Sequence, residues 1–140
     1  ELVRAEWREE TARLCRLRDR LLAGLLAAVP DCRLTGSRTR RLPHHLSVCL
    51  RAVKADGVLM DLDLHGVAAA SGSACASKTL EPSHVLRAIG ADPEEQEGSL
   101  CFTLGRWTTA ADIEAVVELL PPIVSRLRAF SPKALGPAAS

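Results

Sequence analysis

The sequence is poor in aromatic residues, methionine and lysine, and carries no surplus of either charge. It has no tyrosine, and Trp7, Trp107, Phe102 and Phe130 are too few and too scattered to form a stacking platform for nucleobases. Lys plus Arg is 18 and Asp plus Glu is 17, a net charge of +1, which gives no reason to expect nucleic acid or an anionic membrane as a partner. The longest apolar run, 21–29, falls far short of a bilayer span, and no signal peptide is visible. The five cysteines, Cys15, Cys32, Cys49, Cys75 and Cys101, are odd in number and form no CxxC pair. That spacing argues against a disulfide framework or a zinc site and fits the reduced thiols of a cytoplasmic protein. The chain opens on Glu1 and its one methionine is Met60, so it is expected to be the tail of a longer protein.

What is present is globular. Apolar residues make up 47% and charged residues 25% of 140 positions, enough for one domain with its own core. Leu14, Leu17, Leu21 and Leu25 recur at helical spacing, which predicts a long helix over 2–28 ended by Pro30 and Asp31, with its arginines on a solvated face. Short strands are expected at 33–35, 45–51, 67–69 and 99–104, the second from its alternation of Leu46, Val48 and Leu50. A short helix over 58–64 would be capped by Asp56, and another over 83–89 would begin near Pro82 and stop at Gly90. Residues 71–80 and 91–98 read as loops. Thr109 and Asp112 form a capping pair for a helix over 110–120, which Pro121 and Pro122 should interrupt before an angled second piece over 123–129. The fold class is therefore α+β, a small antiparallel sheet of three or four strands with helices packed on one side. The domain should run over 1–132, followed by a frayed tail over 133–140.

The stretch Ser71-Gly72-Ser73-Ala74-Cys75-Ala76-Ser77 carries the chemical signal. A nucleophilic thiol must be reachable, so its neighbours need to be small and its backbone adaptable. Gly72, Ala74 and Ala76 meet both needs, and Lys78 or nearby backbone amides would favour the thiolate. The competing reading is a buried cysteine acting as a small hydrophobe.

The same stretch, followed by Leu80-Glu81-Pro82-Ser83-His84-Val85-Leu86-Arg87-Ala88-Ile89-Gly90 and by Thr103-Leu104-Gly105-Arg106-Trp107-Thr108-Thr109, closely resembles the cysteine desulfurases. The likeness is to their nitrogen-fixation and iron–sulfur-cluster type, within the class-V aminotransferases. It covers about 14–132 and only the C-terminal small domain. The resemblance implies a fold like the C-terminal domain of fold-type I enzymes, in a homodimeric parent that uses pyridoxal phosphate as an electron sink. It makes Cys75 the catalytic nucleophile that takes sulfur from L-cysteine as a persulfide and passes it to a scaffold or carrier protein. That sulfur would serve iron–sulfur cluster or other sulfur-containing cofactor assembly.

Two departures from the family pattern stand out. None of the three lysines lies in the context of the cofactor lysine, so no cofactor is expected on this chain alone. Cys101 also occupies the position of the arginine that grips the substrate carboxylate, a bidentate contact that no neutral residue reproduces. Arg106, the second basic residue after the strand, either assists anion binding at the substrate site or pins the turn. Among the remaining residues, His44, His45, His65 and His84 lack partners at metal spacing and are assigned surface, capping or packing roles; no metal site is expected. Cys49 and Cys101 should be core or half-core. The alternatives are a sulfur-carrier or interaction module without pyridoxal phosphate, and a selenocysteine lyase domain.

Overall fold

The leucine stripe of the N-terminal segment becomes one face of a single long helix. In the computed structural model, which describes residues 2–72 and 83–130, that helix is α1, Leu2–Ala28. It buries Leu21, Leu22 and Leu25, with Leu14 and Leu17 packed against the same core. Beyond Asp31, which turns the chain with a left-handed φ of 55°, come β1 (Cys32–Leu34) and β2 (His45–Leu50). Then follow α2 (Ala55–Leu64), β3 (Ala70–Ser71), α3 (His84–Ala88), α4 (Pro93–Glu97), β4 (Ser99–Thr103) and α5 (Ala110–Ala129).

The strands form one antiparallel sheet in the order β1-β2-β4-β3. Side chains alternate across a strand, so Leu46, Val48 and Leu50 of β2 share a face with Leu100 and Phe102 of β4. All five are buried against α1, α2 and α5. At about 1.5–3 kcal/mol for each large apolar side chain, this face supplies the main drive for folding. The three long helices thus cover one side of the sheet, as the composition and patterning predict. α1 and α5 cross so closely at Gly24 that a Cβ there would lie 2.5 Å from Val117 Cγ2.

Several local expectations are corrected. The cap of α2 is Lys54, with no side-chain hydrogen bond, and Asp56 lies inside the first turn. The third strand falls at Ala70–Ser71 rather than 67–69. The polar stretch 91–98 contains α4, closed by a capping box between Asp92 and Glu95, a signal that the loop assignment overlooked. α5 runs unbroken through Pro121 and Pro122. Leu120, Ile123 and Val124 are buried on either side of the prolines and hold the helix in the core against α1 and α2. The two missing donors would have served the carbonyls of Val117 and Glu118, of which Glu118 is exposed, so water can reach its carbonyl. Thr109 and Asp112 do form a capping box, and Gly90 has the left-handed φ of 82° expected of a helix stop. The expected loop 71–80 begins as strand at Ser71, and its remainder from 73 lies outside the described residues, as do Pro82 and the expected tail. No described helix is long and apolar enough to cross a membrane.

Candidate functional site

The sheet's second face is polar. By register it carries His45, Ser47 and Cys49 of β2 opposite Thr103, Cys101 and Ser99 of β4, with Ala70 of β3 beside Cys101 and Arg33 of β1 beside Cys49. Among the described residues, one end of this face is covered and the other is open. At the covered end Glu95 of α4 accepts from Arg33 Nε and Nη2 at 2.7 and 2.8 Å, and Cys49 and Ser99 are buried. Burial pushes the Cys49 thiol up to about 11, so it is protonated and inert at neutral pH. The Cys32 thiol, turned to the helical side, is likewise pushed up to about 11 by burial. The Arg33 hydrogen bonds, outweighing desolvation, hold the Glu95 carboxyl below its ordinary range.

The chain enters the cysteine-bearing segment at this covered end. The Gly72 amide donates to the Ser99 carbonyl at 3.1 Å. A Cβ at Gly72 would lie 2.5 Å from Ser99 Oγ and 3.3 Å from Leu86 Cδ1 of α3. Only glycine brings the backbone this close to β4 without displacing something. Ser99 Oγ itself is buried and has no hydrogen-bond partner among the described residues. Cys75 and Lys78 lie beyond this point, outside the described residues.

At the open end Cys101 and His45 are both half-buried, and Cys101 Sγ lies 3.1 Å from His45 Nε2. Burial raises the Cys101 thiol, with a hydrogen bond from Thr103 working against it. Burial lowers the His45 imidazole, and the nearby charges of Arg41 and His44 act in the same direction. The resting pair is therefore a thiol beside a neutral imidazole. Sequence reasoning missed this contact: alternation along β2 gives His45 its face, but only the register with β4 brings it to Cys101. Cys49 and Cys101 are core and half-core, as expected.

Arg106 sits in the exposed turn after β4, its guanidinium 2.8 Å from Glu6 Oε2 on α1. Arg13 of α1 grips the same turn through the carbonyls of Thr108, Gly105 and Arg106 at 2.6, 3.1 and 2.9 Å. Arg18, expected on a solvated face, is buried and donates to the Leu42 carbonyl at 3.0 Å. Two of the first helix's arginines therefore fasten loops instead of facing water. His65 ends α2 with its Nδ1 2.8 Å from the Asp61 carbonyl, and His84 is exposed at the start of α3. No group of three or more potential metal ligands occurs among the described residues. The described residues do not fit pyridoxal phosphate either, because their one lysine, Lys54, is an exposed helix cap.

Comparison with known proteins extends these observations. The family described as Aminotransferase class-V matches residues 3–116. Cysteine desulfurase IscS 1 of Archaeoglobus fulgidus is 42% identical over 132 residues, covering 94% of this chain and 34% of the relative. A cysteine desulfurase of Nostoc is 49% identical over 117 residues, covering 84% and 29%. Among solved structures, a NifS-like protein from Rickettsia africae superposes with a TM-score of 0.73 at 26% identity, over 86% of this chain and 31% of that one. The chain thus spans about a third of the length of its relatives. A family match over most of the sequence, joined to the expected sheet and helix layers, settles its membership: the chain belongs to the class-V aminotransferase family.

Proposed function

We propose that this chain is the C-terminal domain of a cysteine desulfurase and that Cys75 is its persulfide-forming nucleophile. The observation that carries this reading is the identity to proteins named cysteine desulfurase, in an alignment spanning 94% of the chain. Small residues around Cys75 and a glycine at the root of its segment support it. The Cys75 thiolate attacks the sulfur of L-cysteine, the carbon–sulfur bond breaks, alanine leaves, and a persulfide remains on Cys75. Pyridoxal phosphate, held elsewhere in a homodimeric parent, would supply the electron sink for that cleavage. The persulfide sulfur then passes to a scaffold or carrier protein for cofactor assembly, in the cytoplasm. Arg106 is the candidate for assisting substrate binding.

The test is mass spectrometry of the full-length protein loaded with cofactor and given L-cysteine. The expected result is one added sulfur atom on the peptide containing Cys75. An unchanged peptide, with cofactor binding confirmed by absorbance, would refute the assignment.

A further inference from the structure

Cys101 and His45 form a thiol–imidazole pair on the open end of the polar sheet face, with 3.1 Å between Sγ and Nε2. The pair is held by two adjacent strands of the sheet, the His45–Thr103 pair lying two register positions from Ser47–Cys101 on the same face, so its geometry is set by the ladder rather than by a loop. Two residues along β4 in the other direction, Ser99 lies at the covered end of the face with its hydroxyl buried, so the exposed part of the face is the part that carries the pair. A nucleophilic sulfur beside a base, on a half-exposed surface, is the minimum arrangement for attack on an electrophilic atom.

We propose that Cys101 is a second sulfur-accepting thiol of this protein, with His45 as its general base, and that its substrate class is the persulfide, R–S–SH. This deepens the function proposed above and rests on the reading that the protein handles persulfide sulfur. In the step, the Cys101 S–H proton moves to His45 Nε2, which requires the tautomer with the proton on Nδ1. The Cys101 thiolate attacks the outer, sulfane sulfur of the donor. A new S–S bond forms, the donor's S–S bond breaks, and the donor thiolate leaves with its electron pair and recovers the proton from His45. The products are Cys101–S–SH and R–SH, with no net oxidation and no further reactant. A base is needed because burial keeps the resting thiol protonated, and burial first, with Arg41 acting in the same direction, keeps the His45 imidazole in the neutral, proton-accepting form.

The test uses the full-length protein carrying Cys75→Ser, mixed with glutathione persulfide and followed by alkylation and peptide mass mapping. One sulfur atom is expected on the Cys101 peptide. In Cys75→Ser with His45→Asn the rate of its appearance should fall by at least about tenfold, and added imidazole should restore it. No sulfur on Cys101, while the same donor modifies Cys75 in the unsubstituted protein, would overturn the inference. So would a rate on Cys101 that ignores the loss of His45. If L-cysteine leaves Cys75 unmodified in the holoenzyme but the small donor still loads Cys101 with dependence on His45, the proposed desulfurase function fails and this inference stands.

Discussion

Replacing Gly72 with alanine tests how the cysteine-bearing segment is anchored. The added Cβ would lie 2.5 Å from Ser99 Oγ, 3.0 Å from Ser99 Cβ and 3.3 Å from Leu86 Cδ1. Leu86 can rotate its methyl away, but the Ser99 hydroxyl is fully buried. The Ser99 Cβ cannot retreat, because β4 is paired on both edges and its Ser99 carbonyl already accepts from the Gly72 amide at 3.1 Å. Overpacking of this kind costs about 1–3 kcal/mol. In urea that lowers the unfolding midpoint by roughly 0.5–1.5 M with the slope unchanged. Ser99→Ala alone should be close to neutral, since its hydroxyl forfeits no bond to the described residues. Combined with Gly72→Ala it removes the worst overlap, and the double-mutant cycle should return a favourable coupling on the order of 1 kcal/mol. An unchanged midpoint in Gly72→Ala, or strict additivity of the pair, would refute the close approach on which this reasoning depends.

Three further outcomes follow from the packing. Glu95→Gln removes the carboxylate that accepts from Arg33 and from the Asp92 amide, and should cost about 1–2 kcal/mol in chemical denaturation, reduced because Arg33 is partly exposed. Because the folded-state carboxyl is held low, the wild-type advantage should be full above about pH 5 and shrink as pH falls below about 4. Pro122→Ala, at an exposed position within α5, should stabilise by roughly 1–3 kcal/mol by returning a helical donor, read as a higher urea midpoint. Cys32 and Cys49, each pushed up to about 11, should resist iodoacetamide at pH 7.5 in the native protein and react only on unfolding, as peptide mapping would report.

Local signals with their own chemistry were legible in the sequence: the leucine stripe of α1, the alternation of β2, the Thr109–Asp112 box and the Gly90 stop. The failures came where tertiary packing outweighed a local rule. Pro121 and Pro122 sit between residues buried in the core, and that burial outweighs the loss of two donors. α4 was hidden because its five residues offer no hydrophobic period, although Asp92, Pro93 and Glu95 spell a helix start. Arg13 and Arg18 look like surface charge until the loops they hold are brought to them across the fold. The polar sheet face was half legible. Alternation puts His45, Ser47 and Cys49 together, but the register that gives Cys101 its imidazole is long-range information. The cysteine-bearing segment was picked out by its resemblance to the cysteine desulfurases, its residues alone leaving a buried thiol as the rival reading, and 73–82 lie outside the described residues.

The central claim is that the Cys75 sulfur does the chemistry. The most direct measurement is sulfide release from L-cysteine, in the presence of a thiol reductant, by full-length holoprotein with and without Cys75→Ser. The account predicts that turnover disappears in the variant while cofactor absorbance and the thermal transition stay unchanged. Sulfide production at the unsubstituted rate would contradict it.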